Sequence, residues 1–161
     1  TQYCKDHFTN AYGQMSEKNP FYAKIICGNC GNIYSRVKYT IRAGTKITKW
    51  RCGSCNKTNG HKVCTNRYVT EETFKKLFVM SWNEVVMHQE KYQERWQENI
   101  KSEDVLLRYK TRLLMKHVAT GEIKGFEPEL MMAVMDHITV FEDGRLQILF
   151  YDGTEFEVET E

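Results

Sequence analysis

Five of the six cysteines in this chain fall between Phe21 and Thr70: Cys27, Cys30, Cys52, Cys55 and Cys64. The order is CGNCG, then 20 residues, then CGSC, then a last Cys in HKVC. A C-x-x-C pair lets two thiolates reach one ion, and the glycines beside it let backbone N–H groups turn toward sulfur. Such a framework restricts the fold more than any propensity does. A tetrahedral thiolate site contributes folding free energy on the order of 10–16 kcal/mol to a segment with little core of its own. Disulfides are the alternative. The chain opens TQYCKDHFTN, without a signal peptide, so reduced thiols on a metal fit it better. Four thiolates leave no open coordination position, so the expected Zn2+ is structural. Five cysteines compete for four positions; local spacing alone chooses Cys55 as the fourth ligand beside Cys27, Cys30 and Cys52, leaving Cys64 a buried or free thiol. A redox or iron–sulfur role needs further assumptions, and Cys4 reads as a spare thiol.

Charge is as unevenly distributed as cysteine. Residues 21–70 carry ten Lys and Arg and no Asp or Glu, whereas residues 71–161 carry 11 basic and 19 acidic groups. Those counts give +10 and −8, a polarity expected of a polyanion-binding segment joined to a module of another kind. No run of about 20 apolar residues is present, which excludes a membrane-spanning helix. The absence of an initiator Met reads as a piece of a longer protein.

After the first cysteine pair, Tyr34, Arg36, Lys38, Thr40 and Arg42 alternate with Ile33, Ser35, Val37, Tyr39 and Ile41, as in an extended strand. Ala43-Gly44-Thr45 makes a turn, and Lys46–Cys52 returns. The expectation is a β-hairpin with one basic face, carrying Arg36, Lys38, Arg42, Lys46, Lys49 and Arg51, with Lys49 and Arg51 opposite Trp50. A solvated basic hairpin is the plain alternative. Ten basic residues without an acid favour nucleic acid, because a two-stranded ribbon can enter a major groove.

Thr70 followed by Glu71 and Glu72 reads as a helix start. Phe74, Leu77, Phe78, Trp82, Val85, Tyr92 and Trp96 extend the stripe to a helix of roughly seven turns. The phase breaks near Lys101-Ser102, and a second helix carries Leu106, Tyr109 and Leu113 on one stripe, with His117 or Val118. Two such helices form either an antiparallel coiled-coil hairpin or ordinary core helices. In the first case Trp96 and Ile100 lie near an exposed tip. Pro128–Met135 reads as a short helix. His137–Phe141, Arg145–Tyr151 and Thr154–Val158 read as three strands of a meander, joined at Asp143-Gly144 and Asp152-Gly153.

The fold class expected is α+β: a small zinc β-ribbon, an inserted antiparallel helical hairpin and a C-terminal β-meander. Its parts are a linker or arm at 1–20, the ribbon at 21–72, the hairpin at 73–120, and a short helix with strands packing on the ribbon at 121–161.

The run Phe21–Glu72 resembles the recombinase zinc β-ribbon of large serine recombinases. The resemblance is carried by the CG-x-CG knuckle, by Trp50-Arg51-Cys52 closing a basic hairpin, and by Cys64-Thr65-Asn66-Arg67-Tyr68 leading to Val69-Thr70-Glu71-Glu72. The helical segment and the closing DHITVFEDGRLQILFYDGTEFEV are also similar to that family's C-terminal end. The resemblance implies Cys27, Cys30, Cys52 and Cys64 as ligands, with Cys55 supernumerary. It further implies double-stranded attachment-site DNA as partner, contacts with other recombinase subunits through the helical hairpin, a possible directionality factor, and a cytoplasmic protein of bacterial or phage/mobile-element origin. The family's catalytic serine domain has no counterpart here, since Ser16, Ser35, Ser54, Ser81 and Ser102 lack a catalytic motif. The fragment is therefore expected to have no catalytic residues. A zinc-ribbon scaffold for protein partners, without a recombination role, is the competing function.

Overall fold

The computed structural model describes residues 18–160 apart from 56, 59, 60 and 63, and only the backbone at 57–58 and 61–62. The expected arm, with Cys4, Phe8 and Tyr12, and most of the Asn56–Lys62 loop lie outside the described residues.

The architecture is α+β. Strands β1 (Ile25–Cys27), β2 (Tyr34–Thr40) and β3 (Lys46–Cys52) are followed by a 3-10 turn at Gly53–Cys55 and by β4 (Lys57–Thr58), β5 (His61–Lys62) and β6 (Val69–Thr70). Helices α1 (Glu71–Met87), α2 (Gln93–Asn99), α3 (Val105–Val118) and α4 (Pro128–Val134) come next, and β7 (Met135–Val140), β8 (Arg145–Phe150) and β9 (Glu155–Glu159) close the chain. The metal ribbon is the three-stranded sheet β2-β3-β6. The other large sheet runs β1-β7-β8-β9. The C-terminal meander is thus completed by a strand from the ribbon, with Ile25, Ile26 and Cys27 running parallel to Ile138, Thr139 and Val140.

Register explains which face of this sheet is covered. Ile25 and Cys27 share a face with Ile138, Val140, Leu146 and Ile148, all of them buried. Most alternate positions, among them Thr139, Gln147 and Glu157, are polar, as expected of a sheet covered on one side. α1 lies on the covered side. Its Phe74, Leu77, Phe78, Trp82 and Val85 are buried, and Phe78 and Trp82 stand 6.2 and 6.1 Å from the Phe150 ring. Phe21 joins the two sheets' cores, stacking on Phe126 at 5.3 Å and meeting Trp50 edge-on at 6.3 Å.

The seven-turn helix does not form. α1 stops at His88, and a 3-10 turn at Gln89–Lys91 leads to α2. The polar run His88-Gln89-Glu90-Lys91 offers no side chain to bury, and the bend carries Trp96 back to the sheet. Trp96 is 1% exposed and donates its indole N–H to Asp152 Oδ2 at 2.7 Å. It is therefore not an exposed tip residue, and Ile100 is half-buried. The interhelical alternatives resolve in favour of core packing: α1 gives its stripe to the sheet, while α2 and α3 flank the break at Ile100–Asp104. Asp104 caps α3 by accepting from the N–H groups of Leu106 and Leu107, a cap of the favoured type. α3 is rotated from its expected orientation. Thr111, Leu114 and Val118 are buried, while Leu106 and Tyr109 are 64% and 60% exposed. The short helix and the three final strands fall within one or two residues of their expected limits. Among the described residues no helix is long and apolar enough to cross a membrane.

Asp152 is the joint of the helical region. It accepts from Trp96 and from the backbone and hydroxyl of Thr154, while its own carbonyl accepts from Asn99. Asp152→Ala leaves the buried indole N–H and the Thr154 N–H and O–H without acceptors. It is expected to lower unfolding free energy by about 2–4 kcal/mol in urea melts, against about 1 kcal/mol or less for a surface change such as Glu155→Ala.

Candidate metal centre and nucleic-acid interface

Three separate stretches converge on one point. β1 ends at Cys27, and the knuckle folds back so that Gly31 N–H donates to Cys27 O at 2.9 Å and Cys27 N–H to Asn32 O at 2.8 Å. Gly31 adopts φ +75°, open to glycine at no steric cost. At Gly28 a Cβ would lie 2.7 Å from the Phe141 ring, so only glycine lets the knuckle approach β7. β3 delivers Cys52 opposite Tyr34. Cys64 is placed by its N–H, which donates to Ser54 O at 3.2 Å.

The Sγ atoms of Cys27, Cys30, Cys52 and Cys64 all lie within 4.8 Å of one another, with Cys30 at the surface and the other three buried. Cys27 and Cys64 are 3.7 Å apart, and Cys30 and Cys52 3.3 Å. A tetrahedron with Zn–S bonds near 2.3 Å has edges of about 3.8 Å, so the four sulfurs fit such an ion. Cys55 stands outside this group, its thiol directed at Asn66 O at 3.7 Å. The thiols are electrostatically unequal. The Asn32 backbone N–H pulls Cys30 down to about 6, whereas burial pushes Cys52 up. At Cys64 the Asn66 backbone N–H pulls down, but burial and the adjoining Cys27 and Cys30 thiols prevail, and the net shift is upward.

Sequence reasoning missed the groups around the sulfurs. Asn66, 3% exposed, donates its amide to Cys27 Sγ at 3.2 Å and to Val140 O at 2.9 Å. Arg67 donates to the carbonyls of Phe141 and Gly144, and its own carbonyl accepts from the Tyr34 hydroxyl at 2.9 Å. Glu142 accepts from Asn29 at 2.6 Å and from Thr65 at 3.4 Å. The β7–β8 turn is thereby fastened to both halves of the sulfur site. Asn66-Arg67, one residue removed from Cys64, was the available signal, but nothing local to it indicates a partner some 75 residues away.

The basic side chains do not share one face. Paired residues in the β2–β3 ladder lie on the same side, and Arg36 pairs with buried Trp50, Lys38 with Thr48, and Thr40 with Lys46. Lys49 pairs with Val37, and Arg51 with Ser35, on the opposite side. Arg42 is exposed in the turn between the strands. Arg36 is committed elsewhere: its guanidinium lies 2.9 Å from the buried Glu71 carboxylate and also donates to Lys18 O. Lys38 and Lys46 are exposed, and Lys49 and Arg51 half-buried. A hydrogen bond with Tyr68 holds Arg51 above its ordinary pKa. The single basic face expected from alternation is thus two basic faces, with Lys38, Arg42 and Lys46 toward the hairpin's free end and Lys49 and Arg51 toward its base.

Residues 20–83 match the family model of the recombinase zinc beta ribbon domain. A crystal structure of a large serine recombinase (LSR)–DNA complex matches with a TM-score of 0.56 at 13% identity, over 81% of this chain and 55% of that one. No curated protein matches. Residues 20–83 are thus similar to a recombinase zinc β-ribbon domain. The likeness in fold runs on into the helices and the final strands, and the chain spans about half the length of that solved chain.

Cys64→Ser is expected to abolish stoichiometric zinc, read by metal analysis of the purified chain, whereas Cys55→Ser retains one ion. Asn66→Ala keeps the ion but weakens it about 10–100-fold in chelator competition, the usual cost of losing an outer-shell partner.

Proposed function

We propose that this chain is the DNA-binding C-terminal region of a site-specific serine recombinase. Its ribbon is held by Zn2+ on Cys27, Cys30, Cys52 and Cys64, and its hairpin contacts duplex attachment-site DNA. The observation that carries the reading is a recombinase zinc ribbon whose hairpin carries Lys38, Arg42 and Lys46 at its projecting end, with Lys49 and Arg51 nearer the sulfurs. β6 pairs only with Lys49 and Trp50, so the half of the ribbon beyond them stands free as two strands, a shape the major groove admits. Lys38, Arg42, Lys46, Lys49 and Arg51 form the contact set. Arg36 is a positioning residue, holding α1 to the ribbon through Glu71. The zinc, when bound, supplies a structural cross-link and no reactive position. The reaction itself belongs to a catalytic domain elsewhere in the parent protein.

The helical region supplies the surface for other subunits. Its contact face is the exposed Val105, Leu106 and Tyr109 of α3, in place of Trp96 and Ile100. A directionality factor would compete for the same face. In a recombinase carrying this segment, Leu106→Glu with Tyr109→Glu is expected to remove paired-site complexes in gel shifts while single-site affinity stays the same. Loss of single-site affinity would contradict the assignment.

Five phosphate contacts give a log–log salt slope of about −4.5. Lys38→Ala with Lys46→Ala is expected to reduce that slope by about 2, while Arg36→Ala lowers stability and leaves the slope near its original value. Titration of duplex DNA at several salt concentrations reads both. Affinity insensitive to salt would rule out the DNA reading, and a stable protein complex in its place would favour a scaffold.

A further inference from the structure

The polarity of the hairpin is inverted at its free end. A sheet with one covered face points apolar side chains at the core and polar ones at water. β2 and β3 obey this near the sulfurs, where Tyr34, Trp50 and Cys52 are buried. Beyond the Arg36–Trp50 pair, the positions on the core side are Lys38, Thr48, Thr40 and Lys46, while Val37, Tyr39 and Ile47 point outward. Folding gains nothing from that exchange. Ile41 and Tyr68 are left 44% exposed, and the Tyr39 and Tyr68 rings meet edge-on at 6.2 Å. With Ile47 and Lys49 they enclose a depression of about 430 Å³.

This face is apolar and positive at once, since Lys49 and Arg51 share it with Tyr39 and Ile47. Its occupant must be anionic and must project apolar groups. Duplex DNA does both at A·T pairs, where the thymine 5-methyl stands in the major groove between phosphate walls. An acidic protein surface is the other class. Continuity with the basic residues at the hairpin end, in a stretch with no acid from 21 to 70, favours DNA.

We propose that the depression formed by Tyr39, Ile47 and Tyr68 reads thymine methyl groups, so that the duplex selected by this ribbon carries A·T pairs at fixed positions. The inference rests on the DNA-binding reading above. The 161-residue chain would be used to select duplexes from a random pool. The selected duplex would then be remade with uracil for thymine, one position at a time, removing the methyl and leaving base pairing intact. Affinity is expected to fall about fourfold at each position whose methyl is buried. The Tyr39→Ser, Ile47→Ser chain is expected to bind both forms equally while keeping its salt slope. Uracil tolerated at every position, with the slope intact, overturns the methyl reading and leaves DNA binding standing. No affinity for any duplex overturns both. Discrimination that survives in the variant overturns the assignment to this depression. The uracil comparison uses the unaltered chain, so a variant that misfolds does not decide the outcome.

Discussion

The sulfur site lies at the seam of two sheets, and the rest of the structure depends on that placement. Cys27 is the last residue of a strand in the four-stranded sheet, with its side chain on the covered face beside Val140. Cys52 ends the hairpin, and Cys64 begins the strap that carries Asn66 and Arg67. An ion on these thiolates would join a small ribbon to a larger core. The amide of Asn66 spans the two directly, touching Cys27 Sγ and Val140 O at once. Removing such an amide would leave a buried thiolate and a buried carbonyl short of a donor. Arg67 on the Phe141 and Gly144 carbonyls, Glu142 on Asn29, and the Arg36–Glu71 pair add further ties between ribbon and body.

The ribbon's orientation sets where the hairpin's free end lies, beyond the last pairing with β6. Arg36 and Glu71 mark the boundary. On the near side, basic charge is neutralised and Trp50 is buried; on the far side, charge and apolar surface are left to solvent. The acidic remainder of the chain stays behind that boundary, in α1 to α4 and on the outward face of the second sheet. The division of charge seen along the sequence becomes a division in space, a positive hairpin end on a negatively charged body.

Legibility followed the range of the interactions concerned. The sulfur ladder, the β2–β3 hairpin, the helix start at Thr70 and the Asp-Gly turns are set within a few residues and could be read from their own neighbourhoods. The parallel pairing of β1 with β7 joins residues more than a hundred positions apart and leaves no local trace. Trp96 followed the helical period of its neighbours, yet a single hydrogen bond to Asp152 and the burial of its ring outweigh that period and bend the helix. The stripe Leu106, Tyr109, Leu113 is real as a pattern, but the packing of Thr111, Leu114 and Val118 turns it outward. In the hairpin, alternation separated the two faces of β2 and set Lys49 and Arg51 opposite Trp50, but the expected basic face also took in Lys46, which lies on the Trp50 side. The cross-strand register, which no single strand contains, put Arg36 beside Trp50 and left Lys49 and Arg51 on the other side.

The most direct test of the seam is hydrogen exchange with and without the metal. The amides to follow are Gly28, which donates to Val140 O, and Ile138, which donates to Lys24 O, because both cross between ribbon and sheet. On chelation the account predicts that both lose protection together with the β2–β3 ladder, while amides within α1 keep theirs. Protection of Gly28 and Ile138 that persists without metal, as the hairpin opens, would show that the two sheets hold one another without the ion and would contradict the account.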